Sequence, residues 1–146
     1  MRSYEAADLG VRIGARAIDT IILVVAFSAV LGVVAVTSDG SAVGTPLWSG
    51  LAAAAYEVLF VWKRGATPGK SILHLRVVDE STEGDVALPS AVARWAVLGA
   101  WALFPNTGAV GLISFVVTVA VVVMVVTRPD RRGPHDLAAG TRVVRV

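Results

Sequence analysis

The chain has 146 residues, 55% of them hydrophobic and only 16% charged, against about 25% charged in an ordinary soluble domain; with a mean hydropathy of +0.72, this is the profile of a single integral membrane domain. A net charge of +2 and a pI near 9.5 do not imply nucleic acid, because the basic residues flank apolar segments instead of forming one patch. The absence of Cys excludes disulfides and thiolate metal sites, and two widely separated His argue against a zinc site, so no metal or cofactor is expected.

The first apolar stretch runs from Leu9 to Val36. From Ala17 to Val36 its only ionised residue is Asp19, and about 20 apolar residues match a hydrocarbon core about 30 Å thick. A cleaved signal peptide does not fit: the run is too long, Glu5 and Asp8 precede it, and Val34 to Thr37 offers no small-x-small site. On a helical wheel Glu5, Asp8, Arg12, Arg16 and Asp19 fall within a stripe about 80° wide. A carboxylate inside a span costs about 2.5–3.5 kcal/mol unless partnered, and Arg16, on the same face, is the nearest candidate.

Thr37 to Pro46 reads as a short polar loop without Lys or Arg. Trp48 opens a second apolar segment that closes at Trp62, Lys63 and Arg64, the pattern of an interfacial aromatic belt. Gly50, Ala53, Ala54 and Glu57 share one face of it. Glu57 should lie near the depth of Asp19.

Residues Arg64 to Pro89 form the longest hydrophilic piece. Alternation over Leu73 to Val77 reads as a strand, as does Thr141 to Val146, and the two are able to pair as a small sheet packed on helix ends. Ser90 is expected to cap a short third helix that carries Arg94 and Trp95 and runs to Phe104 and Pro105. Asn106 to Gly108 makes a turn, and Ala109 to Thr127 is a charge-free span. All 13 Lys and Arg then fall on the side of the two termini. The positive-inside rule makes that side cytoplasmic.

Each motif has a plain structural reading beside a chemical one. Gly65 to Lys70 superficially resembles a phosphate-binding loop, but the first glycine is one residue too close to the Gly-Lys pair and Pro68 removes a backbone donor. Thr67-Pro68-Gly69 is instead expected to be a turn leading away from the second helix, with Lys70 supplying interfacial charge. Asp136, after His135, is expected to cap a helix or to pair with an Arg at the membrane base. Ser114 and Thr118 are expected to bond their own helix carbonyls. Asp19 and Glu57 together suggest a shared proton or a hard-cation site. Arg16 beside Asp19 is either a structural lock or a group that tunes its pKa, and a permanent cation there opposes cation binding.

Several of these residues, in order, resemble the RDD family of membrane proteins: Arg12-x-x-x-Arg16-x-x-Asp19, Tyr56-Glu57 running to Trp62-Lys63-Arg64-Gly65, Thr67-Pro68-Gly69-Lys70, Leu75 to Asp79, Arg94, and His135 to Thr141 with Val143-Val144. The resemblance implies that Arg16 and Asp19 are the Arg and first Asp of the family name and Asp136 the second. It marks Gly69, Lys70 and Arg94 as further motif positions. Ala66 stands where the family often has Gln. It also implies transport of small ligands and, for some members, sodium/proton exchange.

The resulting expectation is an all-α membrane protein of four transmembrane helices in two hairpins (approximately 9–36, 47–63, 90–104 and 109–127), in the cytoplasmic membrane. The segment 64–89 and the tail 128–146 are cytoplasmic, as are both termini, with a small cytoplasmic β element. No enzyme is expected, since no nucleophile, metal set or phosphate cradle emerges. The functional expectation is transport of a small ligand or ion, in particular cation/proton exchange through Asp19 and Glu57 with Arg16 beside them. Four helices are few to enclose a path, which points to a homo-oligomer. The rival expectation is an accessory membrane protein whose charged seam docks partner helices.

Overall fold

The longest helix, α1 (Leu9–Thr37), extends about 43 Å at 1.5 Å per residue and is followed by α2 (Pro46–Arg64). These are the first elements of a computed structural model that describes residues 5–37, 46–104 and 107–146, without the side chains of 29–37, 46, 47 and 102. Residues 38–45 of the expected polar loop, and Pro105 and Asn106 before the last apolar helix, lie outside the described residues. After α2 come α3 (Pro68–Ile72), β1 (Leu75–Asp79), α4 (Leu88–Gly99) with a 3-10 turn over Ala100–Leu103, α5 (Gly108–Thr127), α6 (Pro134–Ala139) and β2 (Thr141–Arg145). The fold is 69% helix with one two-stranded sheet.

Four local expectations need correction. The helical stripe of α1 begins at Arg12: Glu5 and Asp8 precede the helix, and the Asp8 carboxylate accepts a bond from the Gly10 N–H (3.4 Å). The third helix starts at Leu88 behind Ala87, with Pro89 in its first turn, so Ser90 lies inside it and does not cap it. It holds about 18 Å of α-helix and continues as 3-10 for about 8 Å more, near the lower limit for a span as expected of its length. Thr67-Pro68-Gly69 is a helix N-terminus instead of a plain turn, with Pro68 at the first helical position. The strand begins at Leu75 because His74 is left-handed (φ 55°) and bonds back to Ser71, closing α3.

The two strands do pair, antiparallel from Leu75 opposite Arg145 to Asp79 opposite Thr141. A third edge comes from the N-terminal segment, where Ala6 bridges Val144 and the Ala7 N–H bonds the Val143 carbonyl (3.1 Å). Such a small sheet is marginal alone. It is stabilised by burial: Leu75, Val77 and Val143 join Ala7, Ala15, Val61, Val86 and Ala91 in one apolar cluster where α1, α2 and α4 meet the strands, each fully buried Val or Leu contributing about 1.5–3 kcal/mol.

Among the described residues one helix, α5, is by length and composition apolar enough to cross a membrane. Only Val125 of α5 is buried, leaving Leu112, Phe115, Val116, Val119 and Val126 exposed. Thr118 donates its hydroxyl to the Ser114 carbonyl (2.8 Å), as expected for a hydroxyl on an apolar helix.

Candidate functional site

The charged residues of α1 recur at helical spacing, so Arg12, Ala15, Arg16 and Asp19 share one side. Ala15 and Asp19 are almost fully buried on it. Asp19 does not bond Arg16 among the described residues. Its Oδ1 accepts the Tyr56 hydroxyl (2.8 Å) and the Gly69 N–H (2.8 Å), and its Oδ2 accepts the Thr67 hydroxyl (2.6 Å). The Gly69 N–H is one of the unpaired donors at the start of α3. That approach requires glycine: a Cβ on Gly69 would lie 2.3 Å from the Ala15 carbonyl oxygen and 2.8 Å from the Asp19 Cγ. Asp19 thus fastens α3 and α2 to α1.

Glu57, also buried, is held separately. It accepts Arg16 Nη1 at 2.8 Å and faces Lys70 Nζ at 3.8 Å. Glu57 and Asp19 make no direct contact, and the link between them runs through Lys70, which donates to the Thr67 hydroxyl (3.3 Å). Burial pushes the Lys70 ammonium down to about 8, while Glu57 opposes the shift. Lys70 is therefore an inward-facing group in place of the interfacial charge expected of it.

A second knot forms around Asp136, the most completely buried carboxylate. Its two expected roles coexist. Its Oδ2 accepts the Gly133 N–H (3.2 Å), capping α6, and Arg12 Nη1 (3.3 Å), while Oδ1 accepts Arg94 Nη1. Arg94 Nη1 also donates to the Thr141 hydroxyl (3.2 Å). Arg132 bonds the Thr141 carbonyl (3.1 Å) and pairs with Glu80. Gly140, left-handed at φ 61°, reverses the chain between Asp136 and Thr141 so that both face Arg94. Burial against so much desolvation cost is met by the two guanidiniums, which hold the Asp136 carboxyl at about 2. His135, alongside, is driven down to about 3 by burial and then by Arg94, and stays neutral.

Between the Glu57 and Asp136 knots lies a cavity of about 290 Å³. Its charged lining is Arg12, Arg16, Glu57, Lys70 and Arg94, with His135 and Thr118 beside them, and its apolar wall includes Ile13, Leu98, Val121 and Val122. Four cations face this space, and three carboxylates (Asp19, Glu57, Asp136) lie in or directly behind it. The carboxylates are engaged by donors, whereas the cations keep donors in reserve. Arg16 bonds Glu57 through one nitrogen and its side chain is 56% exposed. No group of His, Asp and Glu suited to a metal ion occurs among the described residues.

The motif positions Arg16, Asp19, Gly69, Lys70, Arg94 and Asp136 each enter one of the two knots. Tyr56, Thr67, Arg12 and His135 were not singled out as site residues. Thr67 carried a signal, a Thr directly before Pro at a helix start, whereas Tyr56 carried none beyond its place in the family resemblance. No curated protein and no solved structure matches the chain. A family model described as the RDD family matches residues 6–140. The chain belongs to the RDD family, a family of membrane proteins.

Proposed function

We propose that the chain is a four-span protein of the cytoplasmic membrane, both termini inside, that binds a small anionic ligand in the cavity between α1, α2, α4 and α5 and takes part in its transport. The observation that carries this reading is the excess of cations over carboxylates around the cavity, with donors left on the exposed Arg16. The cavity is at the lower end of the roughly 300–1,000 Å³ usual for small-molecule sites. The topology rests on the basic residues, all 13 on one side. The geometry weighs against Asp19 and Glu57 as cation ligands: three donors occupy Asp19, and Glu57 is enclosed by two cations.

Two measurements test it. The chain lacks Cys, so single cysteines at Ser41 and Asn106 should react with an impermeant thiol reagent from outside intact cells, and one at Ser81 only after lysis. Sodium sulfate and sodium phosphate should raise the melting temperature of the purified chain above that in sodium or lithium chloride, and Val122→Trp, which fills the cavity, should remove the rise. Collapse of a pH gradient by Na⁺, K⁺ or Li⁺ in proteoliposomes, abolished by Asp19→Asn, would overturn the anion reading in favour of cation/proton exchange.

A further inference from the structure

The cavity has one chemical asymmetry that a small hydrophilic anion leaves unused. Its charged floor, formed by Arg12, Arg16, Lys70 and Arg94, faces the cytoplasm on the proposed topology, whereas its open side on α1 and α5 is largely apolar: Ile13 is 56% and Val122 40% exposed, with the exposed Arg16 and Thr118 side chains beside them. α5 is buried only at Val125, so the mouth opens between two helices onto the apolar surface of the molecule. On the proposed topology that surface is lipid. A molecule with an apolar tail loses nothing by keeping it along Ile13 and Val122 in the bilayer, while Arg16, exposed beside them, meets its charged end.

We propose, resting on the ligand-binding reading above, that the cavity takes the phosphate headgroup of a single anionic amphiphile, which enters sideways between α1 and α5 and leaves its tail along Ile13 and Val122. The floor suits phosphate by its geometry. Cationic groups line it from three elements, α1 (Arg12, Arg16), α3 (Lys70) and α4 (Arg94), and a tetrahedral phosphate presents oxygens in several directions where a planar carboxylate presents two in one plane. A volume of about 290 Å³ holds a headgroup and not a whole lipid, so the tail must stay outside.

The test is calorimetric titration of the full chain in phosphatidylcholine nanodiscs, with empty nanodiscs as the partitioning control. Dodecyl phosphate should saturate at one per chain and bind more tightly than inorganic phosphate. Dodecyltrimethylammonium should only partition, and dodecanoate should bind more weakly than dodecyl phosphate. Arg16→Gln should weaken dodecyl phosphate about tenfold, the loss of one charged hydrogen bond. Val122→Trp should abolish binding, with Thr118→Trp, at an exposed lining position, as the second blocking variant if the first does not fold. Equal saturable binding of the cationic amphiphile, or tighter binding of dodecanoate, overturns the proposal. Inorganic phosphate binding as tightly as dodecyl phosphate overturns the amphiphile while leaving the anion cavity standing. Blocking variants that bind every probe as the native chain does overturn both.

Discussion

Asp136→Asn isolates one charge at a point of the molecule closed to solvent. The carboxylate has no exposed surface, and its two guanidinium partners on Arg12 and Arg94 are only 12% and 4% exposed. Asn keeps an oxygen for the Gly133 N–H, so the helix cap survives and only the ion pairing is lost. Removing one partner of a buried pair costs about 3–5 kcal/mol because the remaining charge is left uncompensated, and here two cations are left. At roughly 2–4 °C per kcal/mol for a chain of this size, the melting temperature should fall by about 6–20 °C. The assay is a fluorescence melt of the full chain in detergent at pH 7, where a carboxyl held at about 2 is ionised. Adding Arg94→Met should restore part of the loss, with a coupling of at least about 1 kcal/mol. A fall of under about 3 °C in Asp136→Asn, or strict additivity with Arg94→Met, would refute the view that charge compensation by Asp136 holds α1, α4 and α6 together.

Gly69→Ala should cost about 3 kcal/mol or more, since its Cβ meets the backbone of Ala15, whereas Gly14→Ala, which meets only the tip of Leu73 at 3.2 Å, should melt within a few degrees of native; equal melting of the two would discard the close-approach argument. His135 stays neutral down to about 3 against 6.5 for an ordinary His, so below 6.5 the unfolded chain binds a proton that the folded chain refuses. Stability should therefore fall as the pH drops from 6.5 towards 3, by about 2 kcal/mol at pH 5. Denaturation curves at pH 7 and 5 should show this loss and His135→Gln should flatten it; an unchanged slope in the variant would assign the acid sensitivity elsewhere. Lys70 loses its charge near 8, so sulfate binding should weaken between pH 7 and 9 in the native chain but not in Lys70→Arg. Identical pH profiles would remove Lys70 from the anion floor.

The elements set by local pattern were legible in the sequence. The charge-free run of α5, the long apolar run of α1 and the two alternating stretches that pair as β1 and β2 all formed within a few residues of expectation. Asp136 with a basic partner was legible too, because a carboxylate beside Pro134 at a helix start has few other uses. Asp19 was not. Helical spacing pointed to Arg16, three residues away, but the donors that reach it belong to Tyr56, Thr67 and Gly69, brought close only when α3 folds back on α1. Arg16 is drawn across to Glu57 on α2 instead. The bridge at Ala6 was illegible for a different reason: one residue pair shows no alternation.

The bonds from Ala7 to Val143 and from Arg12 to Asp136 join positions more than 120 residues apart, and this has a bearing on biogenesis. During synthesis Arg12 and Arg94 reach the bilayer surface long before their counter-ion exists. Until residues 136–144 leave the ribosome, Arg12 lacks its salt link and the segment before the first helix its β neighbour, and the nascent chain carries two guanidiniums that only this segment neutralises. The segment 136–144 thus acts as a latch. A chain stopped after Gly133 should insert yet remain open to proteolysis at its cytoplasmic side. Pulse-chase digestion of the truncated and full chains would read this directly, and equal protection of the two would deny the latch.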